Sequence, residues 1–575
     1  MFNEKTIYRK AHSFKEGKGQ FGEFGHEKSV LPRGFHMSSK SKPLSRNLIF
    51  ERDIPVTLRD GTTIYTDVFR PETEEPVPVI IAWSPYDKNA NRAHIFTSMV
   101  KMVGVDERSL SNLAKWEGPD PEFWCSKGYA VCHPDARGSF HSEGDICFFN
   151  EQEGEDGADL VEWLAQQDWC SGKIALSGNS WLAVSQWFIA AQPPPHLTVI
   201  APWEGFSDVY RDIFMMGGIP DMDFLGMVNG LLWGNNRIED LVAAGKEYPL
   251  MNDYWESKAV DFSKIILPVY AVASYSSTVH TNGTFRTWEN IASEEKWLRI
   301  HNLQEWPDFA LNQEDLLCFF DHYLKGIDNG WEKTPKVRYS MLDMRRNDQV
   351  NIPAQSFPPE NTKEVSYYLN SADMSLSTTA PASQKSVTYH SERKKEKVSF
   401  DITFDREVQF AGYPSLKLWV QAPDHNNMDL FALLQKLDEK GKPLAVLCEE
   451  KLHPVFRIMS LNNNGTVLNY RGSQGRLRTS LRHIDPERST RWTPFFSFDH
   501  EEPMTPEEII SVEIPLSPIG MKFSKGETLR ISISGHSLLG ASLFPVHGIH
   551  PDNKGRHILY TGGQYDTRLE LQELI

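Results

Sequence analysis

One serine stands where a strand-like segment runs directly into a helix-like segment. In KIALSGNSWLAVSQWFIAA (173–191), a strand pattern passes through Gly178 and Ser180 into an apolar helical run. A serine at such a sharp turn projects from the sheet edge, and the helix N-terminus behind it favours developing negative charge. We therefore predict that Ser180 is a nucleophile and that the backbone N–H of Trp181 donates to an oxyanion. Leu182 replaces the second glycine of the G-x-S-x-G pattern, so the motif is incomplete.

Strand-like and helix-like runs alternate on both sides of this serine. Continuous apolar runs bounded by Gly or Pro are typical of strands that a parallel sheet buries on both faces. The strand-like runs are 77–86, 128–138, 174–181, 197–203 and 267–275. The helix-like runs are 151–167 and 316–326. This alternation predicts right-handed crossovers and a mainly parallel sheet, that is, an α/β fold.

The pattern changes at three places along the chain. Residues 1–45 lack periodicity and are predicted to form an extended or loosely packed N-terminal arm. Residues 205–264 carry Met, Trp and Phe at irregular helical spacing, which indicates a helical cap inserted into an α/β domain of 46–204 and 265–334. From 335 to 575, short strands separated by Gly, Pro, Asn and Asp predict an all-β sandwich or jelly roll.

Composition excludes several classes of partner. The net charge of −17, from 77 acidic and 60 basic residues, argues against nucleic acid, because phosphate binding needs clustered Lys and Arg. Residues 1–14 lack the apolar core of a signal peptide, and no apolar run approaches the roughly 20 residues of a membrane span. A cytoplasmic location without membrane contact is therefore expected. The 6 cysteines show no CxxC pair, so we expect reduced thiols and no metal site.

Five segments, in one order along the chain, carry a resemblance to a known family. They are SPYDK (84–88), GYAVCHPDARGSFHSEG (128–144), SGNSWLAVSQW (177–187), PWEGFSDVYRD (202–212) and FFDHYLKG (319–326). Over about residues 48–575 the chain resembles the cocaine esterase and X-Pro dipeptidyl-peptidase group (CocE/NonD) of α/β hydrolases. The resemblance implies an α/β-hydrolase domain, a helical cap insertion, a C-terminal jelly roll, and hydrolysis of an ester or amide bond.

The resemblance also implies roles for further residues. The hydroxyl of Tyr86, in the SPYDK segment, is expected to join the Trp181 N–H in an oxyanion hole. The base is expected after the strand-like WLRI (297–300), where His301 stands, and we predict His301 as the general base. His280 is a second candidate base, ranked below His301.

The acid of the implied triad is missing from its expected place. The family has an aspartate just after the strand that corresponds to PVYAVASY, whereas residues 276–278 read Ser-Ser-Thr. Three interpretations stay open. Another carboxylate can replace the aspartate, the candidates being Glu204, Glu305 and Asp308. A serine–histidine dyad can suffice for an activated substrate, or the scaffold can serve cyclisation or acyl rearrangement, with Ser180 or His301 in proton transfer or positioning.

The function predicted first is a serine hydrolase that cleaves an ester or amide bond of a small, apolar acyl substrate through Ser180. The alternatives are a non-hydrolytic cyclase or acyltransferase of natural-product metabolism and a catalytically silent binding protein. A small molecule is the expected partner, with no cofactor; a homo-oligomer is left open. Aromatic and Met residues of the cap are interpreted as its core, or else as an apolar lid. They are Phe206, Tyr210, Phe214, Met215, Met216, Met222, Phe224 and Trp233.

Overall fold

The computed structural model describes residues 5–13, 23–88, 105–277, 279–447, 469–539 and 549–575. An α/β region with helices on both sides of a large sheet comes first, and a β-rich region follows it, as the sequence predicts. No helix among these described ranges is long and apolar enough to cross a membrane.

The first 13 strands along the described chain build the α/β region and its attachments. They are β1 Tyr8–Lys10, β2 Glu27–Leu31, β3 Leu48–Thr57, β4 Thr63–Pro71, β5 Val77–Ile81, β6 Ala130–Asp135, β7 Cys170–Asn179, β8 Leu197–Trp203, β9 Arg237–Glu239, β10 Val269–Ser274, β11 Lys296–His301, β12 Val337–Met341 and β13 Gln349–Ala354. All but β1 and β9 join one 11-stranded sheet of order β13-β12-β11-β10-β8-β7-β5-β6-β4-β3-β2. Its central strands, from β12 to β6 in that order, run parallel.

The helices lie between these strands and in the predicted cap. They are α1 Pro121–Ser126, α2 Glu151–Ala165, α3 Trp181–Ala190, α4 Asp223–Leu231, α5 Leu241–Glu247, α6 Asp253–Glu256, α7 Thr281–Asn290, α8 Glu305–Leu311 and α9 Gln313–Lys325. All residues of α3 are buried, as expected of a helix that is apolar on every side and packs between the sheet and α2. The fold thus holds the turn before α3 rigidly.

The parallel strands end at one edge of the sheet. In the hydrogen-bonded register, Asn179 at the end of β7 pairs with Trp203 at the end of β8, and Ser274 at the end of β10 pairs with His301 at the end of β11. Residues that follow these strands therefore meet at the carboxyl edge, which is where open α/β sheets bind ligands. Ser180 lies at this edge.

Two parts of the chain differ from the sequence expectation. The N-terminal arm contributes strands, since β1 pairs with β9 and β2 pairs with β3 at the sheet edge. The 205–264 segment contains the short strand β9, a π-helical turn at Tyr210–Phe214 and 3₁₀ turns besides its α-helices. Short strands of this kind form through pairing with distant residues, which local periodicity does not report.

The remaining strands form the β-rich region. They are β14 Thr362–Asn370, β15 Ser375–Ser377, β16 Lys385–His390, β17 Val398–Thr403, β18 Val408–Gly412, β19 Ser415–Gln421, β20 Asp429–Leu437, β21 Val446–Leu447, β22 Asn469–Tyr470, β23 Ser473–Arg478, β24 Ile484–Asp485, β25 Phe495–Phe496, β26 Ile510–Pro515, β27 Ile519–Phe523, β28 Thr528–Ser534, β29 Arg556–Thr561 and β30 Arg568–Leu574. Most belong to one 13-stranded sheet, in which the pairs are antiparallel except that β15 runs parallel to β17. No α-helix occurs in the described residues after 335.

Gly154 allows α2 to approach α3 closely, and its substitution tests the importance of that contact. A Cβ at Gly154 would lie 2.5 Å from the Phe188 carbonyl oxygen, and this backbone atom cannot move aside cheaply. A Cβ at Gly226, in α4, would meet only the Val242 Cγ2 at 3.8 Å. We expect Gly154→Ala to lower the free energy of unfolding by about 1–3 kcal/mol. Gly226→Ala, the control, should raise it by up to about 1 kcal/mol through helix propensity.

Thermal or urea unfolding of both variants measures this difference. Equal effects of the two substitutions would contradict the close α2–α3 packing.

Candidate active site

Ser180 has the strained backbone of a nucleophile at a strand-to-helix turn. Its φ is 55° and its ψ is −120°, a conformation that a residue with a Cβ rarely adopts. Its carbonyl accepts from the N–H groups of Ala183 and Val184, which starts α3 immediately after it. Gly178 has φ 140°, and a Cβ there would lie 2.5 Å from the Leu182 Cβ. The turn therefore requires glycine at 178, whereas it accommodates leucine at 182.

A hydrogen bond joins Ser180 to the end of the neighbouring strand. The Ser180 N–H donates to the Glu204 carbonyl at 3.0 Å, and the Glu204 N–H donates to the Val272 carbonyl at 2.8 Å. Glu204 also has a positive φ, 58°. Two adjacent strand ends thus share the strain, which is a common feature of active sites.

A buried carboxyl group fixes Trp181. Glu153 Oε1 accepts from the indole N–H of Trp181 at 2.8 Å and from that of Trp83 at 3.1 Å. Its Oε2 accepts from the Phe149 N–H at 3.0 Å, while Asn150 caps α2 by accepting from the Glu153 N–H. Burial raises the pKa of Glu153 to about 7, against the lowering effect of the indole donors. The residue after the nucleophile is therefore held through its side chain.

Buried ion pairs fix the loop that carries Tyr86. Lys88 Nζ lies 2.9 Å from Asp67 Oδ1 and also donates to Asp53, and the Lys88 N–H donates to Asp135 at 2.8 Å. Burial alone would lower the pKa of Lys88, but the carboxylates, Asp67 first, raise it. Lys88 therefore stays charged, and β3, β4 and β6 together set the position of Tyr86 two residues earlier.

Tyr86 packs beside Trp181. The two ring centroids are 5.9 Å apart, with the planes at 71°. Tyr86 is half-buried, and its pKa is raised well above 10 by burial and then by nearby carboxyl groups, namely Glu117, Glu305 and Glu153. The phenol therefore keeps its proton and can donate a hydrogen bond, which the predicted oxyanion role requires.

His301 lies at the carboxyl edge, with both ring nitrogens occupied. It is the last residue of β11 and not part of the following loop, because the strand continues in register with β10. Its Nδ1 accepts from the Leu303 N–H at 3.2 Å, so its Nε2 carries the proton and donates to Glu204 Oε1 at 2.8 Å. Asp308 Oδ1 is 3.6 Å from Nδ1 and is paired with Arg299. No hydrogen bond joins His301 to Ser180 among the described residues, so the base role of His301 stays a prediction.

The segment after β10 holds no carboxylate in its described residues. Ser276 and Ser277 are buried, and the Ser277 Oγ accepts from the His280 N–H at 3.3 Å, at the start of α7. Of the three substitute carboxylates, Glu204 is the one hydrogen-bonded to His301. Asp308 is already bound by Arg299.

Buried and half-buried carboxyl groups surround the elbow, and sequence reasoning missed part of this set. Burial raises the pKa of Glu117 to about 8, although indole N–H groups donate to its carboxyl and lower it. Glu305 is buried, and burial followed by the charges of Glu204 and Glu117 raises its pKa well above the ordinary value. Glu117 lies in a loop with no local motif, whereas Glu153 could have been found from the capping pattern Asn-x-x-Glu.

The predicted cap residues differ in which side chains they contact. Tyr210, Phe214 and Met215 are buried, and the two rings pack on Trp255, so they form cap core. Phe206 instead stacks on His280, with centroids 6.0 Å apart. Trp233 is exposed and approaches the arm.

Two other features lie outside this set. Among the described residues, His483, His500 and Glu502 place possible metal-ligand atoms within 4.8 Å of one another, and none of them is a predicted catalytic residue. A cleft of about 850 Å³ lies between the cap, α7 and the β-rich region, with Arg286 and Glu289 in its wall. Ser180 does not line this cleft.

Comparison with known proteins identifies the family. Two family models match, the X-Pro dipeptidyl-peptidase (S15 family) at residues 60–240 and the X-Pro dipeptidyl-peptidase C-terminal non-catalytic domain at 329–570. A solved CocE/NonD family hydrolase from Staphylococcus aureus is 32% identical and superposes with a TM-score of 0.86 over 97% of this chain and 99% of that one. The chain belongs to the CocE/NonD hydrolase family. The resemblance seen in the five sequence segments is thereby confirmed.

Curated relatives of this chain carry named activities. The cocaine esterase of a Rhodococcus strain is 31% identical over 159 residues, which span 28% of this chain and 24% of that protein. A Xaa-Pro dipeptidyl-peptidase of Streptococcus thermophilus is 21% identical over 85% of this chain and 74% of that protein. Membership in the CocE/NonD family makes this protein a hydrolase.

Removal of one hydroxyl tests the predicted oxyanion donor in this CocE/NonD site. Tyr86→Phe keeps the ring beside Trp181 but deletes the O–H, so turnover of an activated ester should fall about 10²-fold or more with little change in melting temperature. Tyr323→Phe is the control, because the Tyr323 hydroxyl bonds to Glu295 on the surface. Unchanged turnover in Tyr86→Phe would remove Tyr86 from the mechanism.

Proposed function

We propose that this protein cleaves an ester or amide bond of a small, apolar acyl substrate through an acyl-enzyme on Ser180. The observation that carries the proposal is the backbone of Ser180, held at φ 55° between a buried strand and a buried helix. Strain of about 1–3 kcal/mol is retained in proteins chiefly where it serves function. A serine with only a structural role gains nothing from it.

The proposed reaction uses the groups around the elbow. The Ser180 Oγ attacks the acyl carbon while a neighbouring base takes the hydroxyl proton. The negative charge that develops on the acyl oxygen accepts hydrogen bonds from the Trp181 N–H and the Tyr86 O–H. The leaving group departs with the proton, and water releases the acyl group in a second half-reaction of the same kind.

Aromatic side chains support an apolar acyl group. Trp181 contacts Phe148 and Phe149 with centroids 4.9 and 4.3 Å apart, and Phe149 meets Phe206 at 5.2 Å. These side chains are buried, and an aromatic cluster beside the elbow favours an apolar or aromatic substrate over a charged one. The negative charge of the chain, −17, adds to the disadvantage of an anionic substrate.

Acyl transfer or cyclisation is the second candidate. It is favoured by the two serines at 276 and 277, which take the place of the implied triad acid, and by the buried carboxyl groups near the elbow. In such a reaction the same oxyanion donors serve, and an acceptor other than water takes the acyl group. Analysis of products in water and with added alcohol or amine acceptors separates the two reactions.

Labelling with a fluorophosphonate probe tests the proposal. The probe forms a covalent bond to an activated serine, so the wild type should be labelled and Ser180→Ala should not. Ser263→Ala is the control, since Ser263 is exposed and bonds to Asp261 on the surface. Absence of labelling in the wild type, together with ester turnover equal to that of Ser180→Ala, would overturn the acyl-serine mechanism and favour the non-hydrolytic or binding alternatives.

A further inference from the structure

We propose that Glu305, and not His301, exchanges the proton with the Ser180 hydroxyl. The inference rests on the proposed acyl-serine function and names the base of that reaction. Three observations carry it: the place of Glu305 beside the elbow, its unoccupied carboxyl oxygen, and the occupied ring of His301.

Glu305 is attached to the residue that precedes the nucleophile. The Asn179 side-chain amide donates to the Glu305 carbonyl at 3.2 Å. This bond brings the start of α8 against the end of β7, so the Glu305 backbone is fixed next to Ser180. Trp306, the next residue, donates its indole N–H to Glu117 at 2.9 Å, which anchors the same turn from the other side.

The Glu305 carboxyl has an oxygen free to accept. Its Oε2 is buried, and no hydrogen-bond donor within the described ranges reaches it. A buried carboxyl oxygen without a donor is costly, and such atoms are retained where a ligand or a reaction uses them. His280 is the group near this oxygen that could become positively charged, since its Nε2 is 3.7 Å from Glu305 Oε2. The Nδ1 of His280 is buried and also has no hydrogen-bond partner among the described residues.

The ring of His301, in contrast, has no lone pair left to take a proton. Its Nδ1 lone pair accepts from the Leu303 N–H, and its Nε2 proton is donated to Glu204. For His301 to act as the base, one of these two bonds has to break. The geometry therefore makes His301 a positioning residue that holds the Glu204 side chain. The Glu204 backbone carbonyl in turn accepts a hydrogen bond from the Ser180 N–H.

The groups that face Glu305 set its proton affinity. Glu204 comes from the end of β8, Glu117 from the loop before α1, His280 from the start of α7, and Tyr86 from the loop after β5. Burial first, and then the like charges of Glu204 and Glu117, raise the pKa of Glu305 well above the usual range of a glutamate. Burial lowers the pKa of His280 to about 3, so this imidazole is neutral and does not oppose the shift.

The proton and bond changes balance within the site. As the Ser180 Oγ bonds to the acyl carbon, the Oγ–H proton moves to the Glu305 carboxylate. The electron pair of the C=O double bond moves to the acyl oxygen, which becomes the oxyanion. When the oxyanion collapses, the carbon bond to the leaving oxygen or nitrogen breaks, and the Glu305 carboxylic acid gives its proton to that atom. A water molecule then repeats the sequence in place of Ser180 and leaves the carboxylate and the serine hydroxyl restored.

A carboxylate base gives a characteristic pH dependence. The reactive form of Glu305 is ionised, so the rate is low below its pKa and rises as pH passes through it. Because the pKa is raised, the rise is displaced upward from the value of about 4.3 for a solvated glutamate.

The experiment measures the rate of fluorophosphonate labelling of Ser180 against pH in the full-length protein. We expect Glu305→Gln, which keeps the size and lacks the base, to label at least about 10²-fold more slowly and to lose the rising limb. Glu305→His should restore a rising limb at a pH different from that of the wild type, because an imidazole replaces the carboxylate as the base. His301→Gln should keep the wild-type limb. Glu314→Gln is the control, since Glu314 is exposed on α9 and pairs with Lys127 at the surface.

The outcomes separate the inference from the function on which it rests. A wild type that labels at Ser180, with Glu305→Gln unchanged in rate and pH profile, overturns the role of Glu305 and leaves the acyl-serine function standing. Loss of the rising limb in His301→Gln alone also overturns it and restores His301 as the base. A wild type without any labelling overturns the function itself. A melting temperature for each variant excludes unfolding as the cause of a lost rate.

Discussion

The hydrogen bond from the Ser180 N–H to the Glu204 carbonyl is the interaction on which the site depends. Both residues have positive φ values, 55° and 58°, and neither is glycine. Each such residue costs on the order of 1–3 kcal/mol and persists only where the surroundings fix it. Here β7 and β8 end in register, and α3 begins at once with every residue buried. If this bond were lost, the serine would relax into the sheet, and the oxyanion donor after it would move.

Charge is arranged differently at the margin and at the centre of the site. At the margin, Lys88 forms ion pairs with Asp53 and Asp67. These pairs offset the desolvation cost of burying the three charges, and they fix the loop that carries Tyr86. At the centre, Glu305 is buried and Glu117 is half-buried, with no cation that neutralises them among the described residues, and the pKa values of both are raised. The ion pairs at the margin thus make the site rigid, whereas the centre keeps carboxyl groups whose pKa values are raised above the ordinary range.

The sequence predicts those features that local order encodes. The strand, turn and helix around Ser180 are contiguous, so their pattern reveals the elbow, and the order of five segments reveals the CocE/NonD family. Bonds between distant segments are not visible in this way. The Glu204–His301 pair spans 97 residues and the Asn179–Glu305 bond spans 126, and both arise from strand order. Likewise, part of the N-terminal arm, whose sequence shows no periodicity, forms strand β1 because it pairs with the distant strand β9.

The nature of the proposed base bears on the missing triad acid. An imidazole has two nitrogens and two tautomers, so a histidine base needs a third group that fixes its tautomer and stabilises the imidazolium. A carboxylate has no tautomer to select, and it becomes neutral when it takes the proton, so no partner of opposite charge is needed. Its burial supplies the basicity that a solvated glutamate lacks. Serines at 276 and 277 are then compatible with a working nucleophile at 180, because an aspartate there would have no imidazolium to stabilise and would add another like charge to the buried carboxyl groups around the elbow.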